Sequence, residues 1–443
     1  MKNNFKIFFG SFLIFIGIFT NRIILEKFVS PYAIVELNYR IPIILINLFF
    51  VVCGILVILL KKGHFTPEKI FNLYKVIGLN FFTVFLLFVS LNIIVYIFLV
   101  FRDIGFYKDQ IFFSYSQPLK GIYPDFKGRD VNLLLYETWS RPYVYSPYVQ
   151  FKERVFDGKF IKVHPAGFRI TKEQGPWPPD PNNLNIFMFG GSTTFGYGVK
   201  NEQTISSYLQ NLLALNHKAS ILKVCLYNFG AGNYFSSQEK ILFQDFLSKG
   251  YVPDIAVFLD GLNDFYHIDD EPVLTERLRK FVDNKGKTFI VDLPLVNVIR
   301  DVKKIGDVSS GKVSSEEKYN DPEKLNRVIG RYIANKKQIE AIANIYKIKT
   351  LFIWQPVPTY KYDLKYHIFS GMGFGRFIYS KYGYEQMRKF ISKNNLGSDF
   401  LWLADIQEGV KKPLYVDIDH YTAEFSQEIA SNIYNFLIKA GWV

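Results

Sequence analysis

At 443 residues the chain is longer than one ordinary domain, so two or more units are expected. Its net charge of +13 invites a nucleic-acid reading, but Lys and Arg are spread along the chain without a dense run, which excludes a basic nucleic-acid-binding tract. The 2 cysteines, Cys53 in an apolar stretch and Cys225 in a predicted strand, exclude a disulfide framework.

Three apolar stretches open the chain, at about 5–25 (interrupted by Asn21-Arg22), 41–60 and 76–101. The second and third have the length a helix needs to cross a ~30 Å hydrocarbon core. The first is shorter before its polar break, but it lacks a small-residue cleavage site, so it reads as an uncleaved anchor. Residues 1–102 are therefore expected to form a membrane anchor of three transmembrane helices. Lys2, Lys6, Lys61, Lys62, Lys69 and Lys75 outnumber Arg22, Lys27 and Arg40, which places the N-terminus in the cytoplasm and everything after the third span outside it.

Residues 103–183 are rich in Tyr, Pro and Gly with weak periodicity; they read as a connecting region, with a possible strand within 160–170. Regular alternation follows. Strands are predicted over 184–189, 223–227, 255–259, 350–354 and 400–404. Between and after them lie helices over 204–215, from Ser236 (with Glu239, a capping-box pattern) to near Gly250, from Asp321-Pro322 onward, and from about Thr422 to the end. Strands alternating with helices imply a mainly parallel sheet covered on both faces. Within 184–443, the stretch 269–346 reads as an insertion whose charged part, 303–320, is expected to be a mobile loop.

Four short polar or Gly-rich segments punctuate this pattern, the first three after predicted strands: Gly190-Gly191-Ser192-Thr193-Thr194, Asn228-Phe229-Gly230-Ala231-Gly232-Asn233, Gly261-Leu262-Asn263-Asp264, and Asp417-Ile418-Asp419-His420. The carboxyl ends of parallel strands form one rim, where sites assemble. A serine, a histidine with a carboxylate and amide donors are the parts acyl transfer requires. The first segment is not the α/β-hydrolase elbow, because Thr194 stands where that motif needs Gly; nor is it a phosphate loop, which needs a Lys before the Ser. Asp269, Asp270 and Glu271 read as a solvated acidic cluster, and no metal site stands out. Asp419 is a rival to Asp417, although adjacent side chains rarely fold back on one another.

The order and spacing of the four segments resemble the SGNH (GDSL-like) hydrolase family, over about residues 184–443, with further family-like character in Gly167-Phe168-Arg169 and Trp354-Gln355-Pro356. The resemblance implies a flavodoxin-like three-layer α/β/α sandwich that follows the transmembrane helices. It implies Ser192 as nucleophile, His420 as base and Asp417 as the partner of its Nδ1. The oxyanion would be held by Asn263 and by the backbone N–H groups of Ser192 and of the second segment. The family usually has Asn-x-Gly-x-x-Gly there, so Asn233 stands where a glycine is expected, and either Gly232 or Asn233 could donate. No cofactor or metal is implied. The expected activity is a serine esterase cleaving O-acyl, above all O-acetyl, esters on carbohydrate or lipid at a bacterial cell surface. The rivals are an O-acyltransferase working with membrane or export partners, a lipase, and an inactive scaffold.

Overall fold

The computed structural model describes residues 2–19, 37–59, 67–113, 121–124, 126, 128–216, 223–283 and 316–443. The chain divides into two compact units, the first running through Phe98 and the second beginning at Leu99.

The first unit contains α1 (Lys2–Phe19), α2 (Leu37–Leu59) and most of α3 (Pro67–Phe113). Within α3, Tyr74–Phe98 is 25 residues at mean hydropathy 2.5, long and apolar enough to cross a membrane. Three of its polar side chains are satisfied locally: Asn80, Thr83 and Asn92 donate to the carbonyls of Val76, Leu79 and Phe88, one turn back. The apolar parts of α1 and α2, Ile7–Phe19 and Ile44–Leu59, are shorter. They pack closely through glycine, since a β-carbon at Gly54 would lie 2.6 Å from the Gly10 carbonyl oxygen. The expected ends at 20–25 and Leu60, with Arg22, Lys27, Lys61 and Lys62, lie outside the described residues.

In the second unit α4 (Gly128–Trp139) leads to the antiparallel hairpin β1 (Val144–Ser146) and β2 (Gln150–Lys152), then to the short pair β3 (Phe156–Asp157) and β4 (Lys162–Val163). The region read as a connector thus holds a helix and two small hairpins. The strand suspected within 160–170 is reduced to β4 and an isolated bridge at Arg169.

The sandwich itself runs β5 (Leu184–Gly190), α5 (Ser192–Phe195), α6 (Ile205–Asn216), β6 (Val224–Asn228), α7 (Ser236–Ser248), β7 (Ile255–Asp260), α8 (Leu262–Tyr266), α9 (Thr275–Asp283), α10 (Pro322–Tyr346), β8 (Lys349–Trp354), α11 (Ile378–Ile391), β9 (Phe400–Trp402) and α12 (Ala423–Lys439). The five parallel strands stand in the order β6-β5-β7-β8-β9, the doubly wound order expected of a flavodoxin-like sheet. Both faces of every central strand are apolar, as a fully covered sheet demands. On one face Ile186, Met188, Leu226, Val257 and Leu351 meet Leu209 and Leu213 of α6 and Phe425, Ile429 and Ile433 of α12. On the other, Phe187, Phe189, Tyr227, Phe258 and Phe352 meet Phe243 and Phe246 of α7 and Ile339 and Ala343 of α10.

Two helix starts follow the expected chemistry. Asp321 caps α10, accepting from Lys324 N, with Pro322 in the first turn, and Thr422 caps α12, accepting from Phe425 N. The capping box at Ser236 does not form: Phe235 is the N-cap, and Ser236 Oγ donates to Asp264 Oδ1 at 2.6 Å. The stretch read as an insertion contains α10, a layer of the sandwich. Most of the predicted mobile loop, 303–315, lies outside the described residues.

Candidate active site

Ser192, the second block and Asn263 follow the carboxyl ends of β5, β6 and β7, and β5 and β7 flank the point where the strand order reverses. Ser192 opens the one-turn helix α5 after a sharp turn at Gly190-Gly191, and its Oγ has no hydrogen-bond partner among the described residues. The neighbouring Thr193 Oγ1 donates to Gln355 Oε1 at 2.7 Å, and Gln355 Oε1 also accepts from Tyr421 OH at 3.2 Å. Gln355, from the Trp354-Gln355-Pro356 segment, therefore ties the serine turn to the residue that follows His420.

Asn263 lies against that turn. Its Nδ2 donates to the Tyr234 carbonyl at 2.7 Å, and a β-carbon on Gly191 would lie 2.3 Å from the same nitrogen. Only glycine next to Ser192 allows the amide this close. Asp264 fixes the loop from behind: fully buried, it accepts from Ser236 Oγ at 2.6 Å, while Arg331 donates to the Asp264 and His267 carbonyls. His267 thus belongs to this scaffold, and burial drives its imidazole down to about 4.

The second block is strapped to the serine turn. Asn228 Nδ2 donates to the Thr194 carbonyl at 2.9 Å, Asn228 Oδ1 accepts from Gly230 N at 3.0 Å, and Ala231 N donates to the Gly190 carbonyl at 3.0 Å. The two candidate donors then differ. Gly232 N donates to the buried Glu153 Oε1 at 3.0 Å. Asn233 N has no hydrogen bond among the described residues, and Asn233 takes φ 63, the left-handed region that Asn tolerates better than most residues.

His420 is 5% exposed, and its Nδ1 lies 2.8 and 2.7 Å from the two Asp417 oxygens. Asp417 is held in turn by the backbone N–H groups of Asp419 and His420, at 3.0 and 2.9 Å. Asp419 does fold back: its Oδ1 is 3.3 Å from His420 Nδ1. Burial alone would lower the imidazole, but Asp417 and then Asp419 outweigh it and push His420 up to about 9. Burial would raise Asp417, yet the charge and hydrogen bonds of His420 hold its carboxyl below the usual range. Burial lifts Asp419 to about 6, against the pull of His420. His420 Nε2 is buried without a partner, and no hydrogen bond joins it to Ser192. The two loops adjoin through Tyr197, whose N–H donates to the Ser192 carbonyl and whose ring stacks on His420 at 5.2 Å.

Asp417, Asp419 and His420 also form a group of possible cation ligands, their ligand atoms within 4.8 Å of one another. His420 Nδ1 is already engaged by Asp417, so a cation there would have to displace that contact. Asp269, Asp270 and Glu271 pair with Arg376, Arg331 and Arg279.

The site has further parts that the motifs did not announce. Trp139, at the end of α4, packs T-shaped against His420, ring centres 5.6 Å apart, and is 41% exposed. Tyr143 OH accepts from Asn233 Nδ2 at 3.0 Å. Arg141 Nη1 pairs with Glu153 Oε2 at 2.8 Å inside the protein, and Tyr197 OH donates to Glu153 Oε1 at 2.8 Å. Beneath α5, the fully buried Arg169 donates to the carbonyls of Phe195, Gly196 and Val199, which gives the Gly-Phe-Arg segment its place in the site. Two cues could have exposed the hairpin: the alternation Tyr143-Val144-Tyr145-Ser146 and Val149-Gln150-Phe151-Lys152, and the Pro147 turn between them.

No protein-family model matches the chain, and no curated protein sequence does. Solved structures are similar to it at low identity. A lipolytic protein of the G-D-S-L family from Desulfitobacterium hafniense is 14% identical, over 58% of this chain and 100% of its own, with a TM-score of 0.31. An acetyl xylan esterase is 16% identical, over 57% of this chain and 98% of its own, with a TM-score of 0.32. A lipase/acylhydrolase from Enterococcus faecalis is 13% identical, over 58% of this chain and 96% of its own, with a TM-score of 0.32.

Proposed function

We propose that the second unit is a serine esterase of the SGNH type that removes small O-acyl groups from carbohydrate at a membrane surface. The observation that carries the reading is the Asp417–His420 pair, whose imidazole is buried with Nε2 left unpartnered, on a loop adjoining a serine turn against which the Asn263 amide is packed. In this reading His420 takes the Ser192 proton as Oγ attacks the ester carbonyl. The Asn263 amide and the N–H groups of Ser192 and Asn233 hold the oxyanion, Gly232 N being engaged by Glu153. As the intermediate collapses His420 protonates the departing sugar oxygen, which leaves as the alcohol, and a water activated by the same imidazole releases the acid from the seryl ester.

Carbohydrate is favoured over a long acyl chain by the exposed ring of Trp139 beside the base. Trp139, 5.6 Å from His420 and 41% exposed, offers an aromatic surface to a sugar ring, and Tyr145 at 76% and Tyr148 at 82% are exposed further along the same segment. The Lys-rich flanks of the apolar stretches support an extracytoplasmic site, on the outer side of a bacterial cytoplasmic membrane. The transferase reading differs only in the acceptor, a sugar hydroxyl in place of water.

The test is acetate release from acetylated oligosaccharides by the full-length protein in detergent, beside p-nitrophenyl acetate and p-nitrophenyl palmitate. Turnover of the acetylated substrates that is lost in Ser192→Ala and His420→Ala and indifferent to chelator is expected. Turnover that survives Ser192→Ala, or that chelator abolishes, would contradict the serine mechanism and favour a cation at Asp417, Asp419 and His420. Preference for the palmitate would favour the lipase.

A further inference from the structure

Glu153 lies in the short hairpin region before the sandwich and is 0% exposed. Through three partners it reaches the second block, the base and the serine helix. Its Oε1 accepts from Gly232 N at 3.0 Å, in the second block, and from Tyr197 OH at 2.8 Å, the ring of which stacks on His420 at 5.2 Å and 21°. Its Oε2 accepts from Arg141 Nη1 at 2.8 Å, and the Arg141 guanidinium lies 4.8 Å from the centre of the Phe195 ring, in the serine helix. Burial first and the Glu153 charge next hold the Tyr197 phenol protonated, so it stays a donor. A buried carboxylate with two fixed donors on one oxygen leaves those donors little freedom, and Arg141 removes the cost of placing a negative charge near a forming oxyanion.

We infer that Glu153 is the positioning residue of the site: it holds the second block so that Asn233 N–H faces the oxyanion, and it fixes the His420 ring through Tyr197. This rests on the esterase reading above. It assigns Gly232 a structural hydrogen bond and the hairpin region a share in catalysis. Misplacement of reacting groups by an ångström costs about a hundredfold in rate.

The experiment compares two double variants of the full-length protein in detergent, with melting temperatures measured alongside. R141M/E153L removes the charges as a pair and also the acceptor; R141M/E153Q removes the charges and keeps an acceptor oxygen for Gly232 and Tyr197. The expected result is a kcat lowered about a hundredfold in R141M/E153L with KM within about threefold of wild type. R141M/E153Q should recover most of that loss. If R141M/E153L fails to fold, Y197F decides, since it leaves the Glu153–Arg141 pair and the Gly232 hydrogen bond in place and removes the hydroxyl that ties Glu153 to the ring stacked on His420. A fall of about tenfold in kcat and a displaced acid limb of the pH–rate profile are then expected. Wild-type kcat in a folded R141M/E153L, losses in both doubles that merely follow their melting temperatures, or in the fallback a Y197F with wild-type kcat and pH profile would overturn the assignment. A wild-type protein without turnover would instead contradict the esterase reading itself.

Discussion

His420 faces two carboxylates, and its titration follows from both. In the proposed mechanism it must be neutral to accept the serine proton, so kcat/KM should climb with pH and level off above about 9. Asp419→Asn removes one of the two charges that raise the imidazole, so the inflection should move to lower pH while the plateau stays near wild type. Asp417→Asn deprives Nδ1–H of its acceptor and should lower the plateau itself, by roughly 10⁴-fold. A pH–rate profile of the two variants separates these effects. The sign for stability is the reverse of that for rate. The folded imidazole titrates above its ordinary 6.5, so the Asp417–His420 contribution is complete below about 6.5 and is lost as pH rises through about 9. The gap in melting temperature between wild type and Asp417→Asn should therefore narrow across that window. Asn263→Ala should lower kcat by ~10²–10³ with little change in KM, as removal of one oxyanion donor does.

The elements that hold these residues depend on close backbone approach. A β-carbon on Gly230 would lie 2.3 Å from Phe195 N, backbone against backbone, so neither side can yield by rotating a side chain. Gly230→Ala should therefore destabilise the fold by ~1–3 kcal/mol, seen as a lower melting temperature, and should slow the reaction of Ser192 with a phosphonate probe. The sheet and its covering helices were legible because their chemistry is local: short apolar runs mark the strands, and Phe425, Ile429 and Ile433 recur at helical spacing in α12. The four segments were legible for the same reason. Glu153 was not, because its meaning is a set of distant contacts; Gly232 lies 79 positions along the chain. Glu153 directly follows a hairpin of three-residue strands, whose alternation and Pro147 turn were the only local cues to that region. Ser236 and Glu239 fit a capping box in sequence, yet tertiary contacts took the serine hydroxyl to Asp264 and left Glu239 buried at 1% exposure.

For the whole molecule, the described residues contain one helix long and apolar enough to cross a membrane, Tyr74–Phe98, and two shorter apolar helices before it. The full-length chain should stay in the membrane pellet after an alkaline carbonate wash; its release into the supernatant would contradict a membrane-spanning role for that helix. The chemistry proposed for the other unit turns on one atom, the Ser192 Oγ as an activated nucleophile. Its most direct test is reaction of the full-length protein in detergent with a fluorophosphonate, followed by peptide mass mapping. A single phosphonyl adduct on the peptide containing Ser192 is expected, absent in Ser192→Ala and slowed in His420→Ala. A folded protein that forms no adduct, or one whose adduct persists in Ser192→Ala, would contradict it.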